Sequence, residues 1–329
     1  MRAPSLCLIA CIPLLFTSIS ALAQAVQCPA TELGMNVVLR NGKTVEGLKL
    51  QDLDGRTRHS AVAIDSLTFD TSPRRILLVL DMGRDLAPDA RRAQLEIASY
   101  LVNAGRDTDS FGLITARGAL RKVGFEEGHA AVSAALADLR DKKTTQPTDA
   151  GILDAVLEGT SWFQSPAPGD AIILMASEIE KNKSASYAHV AYALAKNRIR
   201  LFSIALGPIM AGTYFSPVSP FAAHNEGWAF LADQENLSAL TWNSGGYMLF
   251  EETRDPLKEY KLSDAHLTDL LEEAARMYVA IATFYRLNVR VPGDLKRREG
   301  WKLDLTDDIR KKIPYAYVVY PRLLDPCAR

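Results

Sequence analysis

Strands with few polar positions, alternating with stretches of helical periodicity, constrain the fold of this chain more than any other feature. Residues 76–80 and 171–175 are continuous apolar runs, and residues 199–206 form a third strand pattern. A strand that is apolar at nearly every position is buried on both faces, as in a parallel sheet covered by helices. In the intervening stretch 89–104, apolar residues recur with the spacing of an α-helix. This alternation predicts an α/β fold with a mostly parallel central sheet.

Both ends of the chain have a different pattern, in which short strands alternate with turns. Asn41 and Gly42 form the strongest hairpin signal, and they predict a hairpin between residues 37–39 and a return strand at residues 45–50. We expect small β extensions at both ends, in which the later strands can pair with the N-terminal ones. The other predicted elements of these segments are strands at residues 61–69, 283–291, 302–305 and 315–320 and a helix at residues 264–281.

The first 23 residues have the pattern of an export signal. Arg2 provides the positive charge, residues 6–19 form an apolar run, and residues 21–23 form a small-x-small cleavage site. The alternative is a buried N-terminal helix, since the run is short for crossing a bilayer. We expect cleavage after Ala23 and find no second apolar run of membrane-spanning length. The mature chain is therefore expected to be soluble, without a transmembrane segment, and exported to the periplasm, the cell surface or the medium.

Cleavage of the signal changes the cysteine count. Cys7 and Cys11 leave with the signal, and Cys28 and Cys327 remain, one near each end of the mature chain. An isolated cysteine pair in an oxidising compartment usually forms a disulfide, and the chain ends of a compact domain often lie close together. We therefore predict a bridge between Cys28 and Cys327, and two unpaired thiols are the alternative.

Composition and motif content argue against several functions. The chain has 38 basic and 39 acidic residues, whereas nucleic-acid-binding domains are usually strongly basic. It contains no nucleophile elbow, no phosphate-binding loop and no Gly-x-Gly-x-x-Gly dinucleotide loop. Its histidines lie far apart, without a local pair of metal ligands. We therefore expect neither a nucleic-acid partner nor an enzyme.

Polar residues follow the carboxyl ends of the predicted strands, where open α/β sheets bind their ligands. Asp81 comes directly after the first apolar run, and Asp85 lies a few residues further on. Thr148 precedes a predicted helix, and Ser177 and Glu178 follow the second apolar run. Because the carboxyl ends of parallel strands meet at one edge of a sheet, we expect these side chains to lie near one another.

In this order and spacing, the three polar segments resemble the von Willebrand factor type A (VWA) domain. Asn41-Gly42 before these segments and residues 285–287, 301–303 and 320–322 after them resemble the flanks of exported VWA-related proteins of Acidobacteria. The resemblance implies a three-layer, Rossmann-like VWA fold with small β extensions at both ends. The implied organisation is a signal peptide at residues 1–23, an N-terminal β-hairpin region at 24–72, a VWA-like domain at 73–252 and a C-terminal helix and strand extension at 253–329.

The VWA family carries a metal-ion-dependent adhesion site. Hydroxyls and carboxylates hold Mg²⁺ there and leave one octahedral position open for a carboxylate of the partner. The family pattern has an aspartate and two serines after the first strand, a threonine before a helix, and an aspartate after a later strand. The corresponding residues of this chain are Asp81, Gly83, Asp85, Thr148 and Ser177, with Glu178 beside the last.

The departures from the family pattern leave two interpretations of this site. Gly83 offers no ligand side chain, so one metal contact is lost. In the first interpretation, Asp85 and Glu178 rewire the site for Mg²⁺ or Ca²⁺. In the second, the site is degenerate, Asp81 accepts backbone N–H bonds and Thr148 caps a helix. We favour the degenerate site and expect no cofactor, so that a divalent ion binds weakly or not at all.

A long segment at residues 207–227 follows the third strand and contains several prolines. Long loops in compact domains are often functional. Its aromatic residues predict either a partner-binding surface or self-packing of the loop. The residues considered for partner binding are Tyr214, Phe215, Phe221 and the adjacent Trp228.

Together, these features predict an exported module for protein–protein binding or cell adhesion. The alternatives are an enzyme with an active site at the strand ends and a structural subunit of an envelope assembly. The partner is expected to be a protein whose identity the sequence does not reveal.

Overall fold

The computed structural model describes residues 30–83, 86–118, 120–141, 151–176, 185–206, 229–250, 261–292 and 295–326, with the backbone alone for residues 141, 229–235 and 250. The strands are β1 (Thr31–Leu39), β2 (Leu53–Thr57), β3 (Ala63–Asp70), β4 (Arg75–Asp81), β5 (Ser110–Ala116), β6 (Lys122–Val123), β7 (Ala171–Ala176), β8 (Arg200–Ala205), β9 (Met248–Phe250), β10 (Phe284–Arg290), β11 (Glu299–Leu305), β12 (Ala316–Val319) and β13 (Leu323–Leu324). The helices are α1 (Pro88–Ala104), α2 (Gly128–Asp141), α3 (Ile152–Thr160), α4 (Tyr187–Lys196), α5 (Ala229–Asn243), α6 (Asp264–Ala282) and α7 (Asp307–Lys312).

Six strands form the central sheet, in the order β6-β5-β4-β7-β8-β9. All neighbours are parallel except β5 and β6, which are antiparallel. If these six strands are numbered from 1 to 6 in chain order, they lie side by side in the order 3-2-1-4-5-6. This is the order of doubly wound α/β sheets. The order reverses between β4 and β7, and Asp81 lies at the carboxyl end of β4. The predicted α/β class and mostly parallel sheet are therefore confirmed.

Helices cover both faces of the central sheet because its strands are apolar on both faces. Leu78 of β4 belongs to one apolar cluster, which also contains residues of α1, α2 and α6. Its neighbour Leu77 belongs to a second cluster on the other face, with residues of α3, α4 and α5. The result is the predicted three-layer arrangement. Within the described part of the chain, no helix combines the length and the apolar character that a membrane span requires.

The two ends of the chain together build an antiparallel β extension, so the predicted pairing of the later strands with the N-terminal ones is confirmed. One sheet has the order β12-β1-β10-β3, and a smaller one has the order β13-β11-β2. In the first, Thr31 of β1 lies opposite Val289 of β10, and Val38 lies opposite Tyr317 of β12. A third apolar cluster contains residues of both sheets.

One detail of the N-terminal prediction is wrong. The turn exists, because Leu39 N–H donates to the carbonyl of Lys43 at 2.8 Å and Gly42 adopts a φ of +76°. However, residues 45–50 do not form a return strand, and the turn closes on a single bridge between Val38 and Thr44. The reason is that β1 pairs with β10 and β12, which lie far along the chain and which local turn signals do not reveal.

A buried arginine fastens the β extension to the central sheet. Arg200, the first residue of β8, is 1% exposed, and its Nη1 donates to Oδ1 of Asn36 in β1 at 2.6 Å. Its Nη2 donates to the carbonyl of Ile281 in α6 at 3.2 Å. The guanidinium also lies 4.5 Å from the ring centre of Phe284, and Arg74 lies 4.4 Å from the same ring. Burial lowers the pKa of Arg200 to about 9, so these contacts hold a charge that desolvation disfavours.

The predicted disulfide falls on Cys28 and Cys327, which lie outside the described residues. Thr31 lies three residues after Cys28, and Pro326 directly precedes Cys327. Both line one cavity, so the chain segments beside the two cysteines lie near each other. We expect non-reducing mass analysis of the exported protein to show one linked peptide containing both cysteines, and reduction to separate it. Labelling of both residues as free thiols in the unreduced protein would contradict the bridge.

Candidate functional site

The carboxyl ends of β4, β5, β7 and β8 lie side by side at one edge of the central sheet. Leu80 of β4 is in register with Met175 of β7, and Met82 N–H donates to the carbonyl of Ala116 at the end of β5 at 2.9 Å. On the other side, Leu206 N–H donates to the carbonyl of Ala176 at 3.0 Å. We call these strand ends and the residues that directly follow them the rim.

An ion pair between Asp81 and Arg117 occupies the centre of the rim. The carboxylate of Asp81 is fully buried, and the side chain of Arg117 is 5% exposed. Nε of Arg117 donates to Oδ1 of Asp81 at 2.8 Å, and its Nη2 donates to Oδ2. The backbone N–H of Gly83 also donates to Oδ1, at 3.0 Å. Both carboxylate oxygens therefore accept charge-assisted bonds from one guanidinium, an arrangement that fixes both side chains.

The backbone after β5 is arranged to direct Arg117 toward Asp81. Arg117 has a φ of +60°, a left-handed conformation that few residues other than glycine adopt. Gly118 follows it closely against β4, since a Cβ at this position would lie 2.0 Å from the carbonyl oxygen of Met82. Such unfavourable backbone geometry persists only where the surrounding structure holds it.

A second arginine approaches the same strand end from α1. Nη2 of Arg91 donates to the carbonyls of Met82 at 3.2 Å and Gly83 at 3.0 Å. Burial lowers the pKa of Arg91, and the charge of Asp81 acts in the opposite direction. Arg91 therefore contacts the backbone of this strand end, whereas Arg117 contacts the carboxylate of Asp81.

The described residues of the rim fit a guanidinium better than a divalent ion. Mg²⁺ and Ca²⁺ need carboxylate and hydroxyl oxygens as ligands, but both oxygens of Asp81 accept bonds from Arg117. Within the described ranges, no group of three or more His, Cys, Asp and Glu side chains could hold a metal ion. The other residues predicted for the site or for partner binding lie outside the described residues: Asp85, Thr148, Ser177, Glu178, Tyr214, Phe215, Phe221 and Trp228.

Sequence reasoning missed Arg117 of the rim and two residues on helices, Arg91 of α1 and Asp154 of α3. Oδ2 of Asp154 accepts from the N–H of Gly151 at 3.2 Å, and its Oδ1 accepts from the N–H of Ala185 at 2.9 Å. Asp154 thereby ties the start of α3 to the segment before α4. Its signal in the sequence is an acidic residue in the first turn of a helix. The signal for Arg117 is weaker, namely a basic residue directly after a strand.

Comparisons with known proteins find similarity to solved structures alone, since no protein-family model and no curated protein matches. Proximal thread matrix protein 1 from the mussel byssus is 13% identical with a TM-score of 0.43, and the match covers 76% of this chain and 50% of that one. An aerotolerance-related membrane protein from Bacteroides fragilis is 11% identical with a TM-score of 0.40, covering 61% of this chain and 98% of that one. A von Willebrand factor type A structure from Catenulispora acidiphila is 12% identical with a TM-score of 0.38, covering 85% and 70%. The chain spans about half the length of the mussel protein, and the expected VWA-like structures are among those that it resembles.

Proposed function

We propose that this chain is an exported, VWA-like module that binds a protein partner at its rim without a divalent cation and without catalysing a reaction. The observation that carries the proposal is the ion pair between Asp81 and Arg117. In a metal-ion-dependent adhesion site, the aspartate helps to hold an ion that meets the partner. Here the guanidinium of Arg117 binds the carboxylate of Asp81 instead. An arginine stays charged at any physiological pH.

Arg91 lies beside the ion pair, since its guanidinium donates to the backbone carbonyls of Met82 and Gly83. A partner that binds at the rim would therefore meet a surface that two arginines help to build. Degeneracy of the metal site is part of this proposal.

An exposed apolar residue next to the rim allows direct contact with the partner to be tested. Leu120 lies between Arg117 and β6 and is 43% exposed. Contiguous apolar patches mark binding surfaces, whereas single exposed apolar residues are normal, so Leu120 serves here as a test and needs a matched control. Leu50 provides that match, because it is 40% exposed and lies just before β2 in the β extension.

The proposal predicts capture that depends on the rim and not on metal. The mature protein is immobilised and exposed to the envelope fraction of its source cells, in Mg²⁺ and in EDTA. We expect the same partner in both buffers, identified by mass spectrometry and then purified for affinity measurements. Leu120→Ser is expected to weaken binding by about tenfold, whereas Leu50→Ser leaves it unchanged.

The outcomes separate the alternatives. If EDTA abolishes binding, or if calorimetry finds tight Mg²⁺ or Ca²⁺ binding that Asp81→Asn removes, the site is rewired for a metal and the proposal is wrong. If both leucine variants weaken binding equally, the partner does not bind at the rim.

A further inference from the structure

A cavity of about 460 Å³ lies at the opposite end of the central sheet from the rim. It is open on one side and is lined by the end of α4, the segments that precede β8 and β9, and strands of the β extension. Leu194 and Ile199 line it from the central domain, and Leu33, Val291 and Leu324 line it from the extension. All five are buried apolar residues. The volume lies in the range that small-molecule sites occupy, about 300–1,000 Å³.

Among the described residues that line this cavity, positively charged side chains exceed negatively charged ones. Lys196, Arg198 and Arg298 are the cations, and Asp325 is the one acidic residue of this described lining. Asp325 is paired with Arg298, whose Nε lies 2.6 Å from its Oδ1. The guanidinium of Arg298 also lies 5.5 Å from the ring centre of Tyr192. The charge of Arg298 is therefore satisfied within the protein.

Lys196 and Arg198 account for the excess positive charge. In the part of the chain that the structure describes, neither side chain has an acidic partner. Lys196 ends α4, where a cation is favourable beside the last carbonyls of a helix. Arg198 directly follows the C-cap of α4 with a φ of +53°, and its N–H donates to the carbonyl of Ala195 at 3.1 Å.

We propose that this cavity binds a small amphipathic carboxylate, with its apolar part against the buried leucine, isoleucine and valine side chains and its carboxylate beside Lys196 and Arg198. An uncharged apolar molecule would form no ion pair with Lys196 or Arg198, and a cationic molecule would be repelled by them. The site is separate from the rim, and the inference does not depend on the function proposed for the rim. Because the central domain and the β extension both line the cavity, the ligand would bridge them.

Three probes with the same apolar tail test the charge preference. The mature chain, residues 24–329, is titrated with octanoate, octanol and octylammonium, and binding is followed by amide chemical shifts in NMR spectra. We expect saturable binding of octanoate, with shifts around the cavity and an affinity about tenfold or more above that of octanol. Octylammonium is expected not to bind there. Equal affinities for octanoate and octanol would overturn the proposal, as would octanoate binding that does not saturate.

Charge-removing variants test the two residues directly. Lys196→Gln combined with Arg198→Asn removes both cations, and asparagine tolerates the left-handed backbone at position 198. We expect this variant to bind octanoate about tenfold more weakly while its affinity for octanol is unchanged. The matched control, Arg58→Asn with Lys312→Gln, removes two exposed cations that do not line the cavity and should bind like the wild type. An equal loss in the control would show that only net charge matters and would overturn the assignment.

Discussion

Arg117→Ala is expected to lower the free energy of unfolding by about 3–5 kcal/mol, because it removes the guanidinium that donates to both oxygens of a fully buried carboxylate. Breaking one side of a buried ion pair costs more than replacing both sides, since the remaining charge stays desolvated. Urea unfolding followed by circular dichroism measures the change, with the slope of the transition checking that the unfolded state is comparable.

The double variant Asp81→Asn with Arg117→Met is the matched control for this prediction. It removes both charges and keeps side chains of similar length, so we expect it to recover most of the loss. If Arg117→Ala costs less than about 1 kcal/mol, the pair behaves like an exposed salt bridge and does not organise the rim.

Arg200→Ala is expected to have a comparable effect at the other end of the sheet, about 3–5 kcal/mol. The substitution leaves Oδ1 of Asn36 and the carbonyl of Ile281 without the guanidinium that donates to them. It also leaves a cavity beside Phe284. Thermal and urea unfolding should both show the loss.

Arg290→Ala provides the comparison for Arg200, because Arg290 pairs with Asp65 on the surface and its side chain is 47% exposed. Exposed pairs contribute about 0–1 kcal/mol, so this variant should remain close to the wild type. Equal effects of the two substitutions would show that Arg200 does not fasten the extension to the central sheet.

The central sheet could be predicted from the sequence because its cause is local. The apolar runs of β4 and β7 and the periodicity of α1 each lie within a short window, and the structure has these elements close to the predicted positions. The β extension was harder to predict, because β1 pairs with residues 285–289 and 316–319, which lie far along the chain. β2 was not predicted at all, since its Leu-Asp-Gly-Arg-Thr sequence contains too few apolar residues to indicate a strand.

The candidate site shows the same division between local and distant causes. The position of Asp81 at a strand end follows from the apolar run before it, and its carboxylate accepts a bond from the backbone N–H of Gly83. The pairing with Arg117 could not be predicted, because it joins the ends of two strands separated by a helix and depends on an unusual backbone conformation. The pattern of charges along the sequence does not indicate a contact between Asp81 and Arg117.

Because β1 lies between β10 and β12, its pairing depends on residues that are made much later in synthesis. Thr31 pairs with Val289, and Val38 pairs with Tyr317. β1 is synthesised early, but it cannot pair until β10 and β12 have been synthesised. Contacts between such distant residues form slowly, because a long loop must close before they stabilise anything. Until then, β1 exposes unpaired backbone and apolar residues such as Met35 and Val37, and such edges pair readily with other chains. The nascent protein is therefore most prone to aggregation in the interval before its last strands are complete, when a chaperone that covers β1 would help it most.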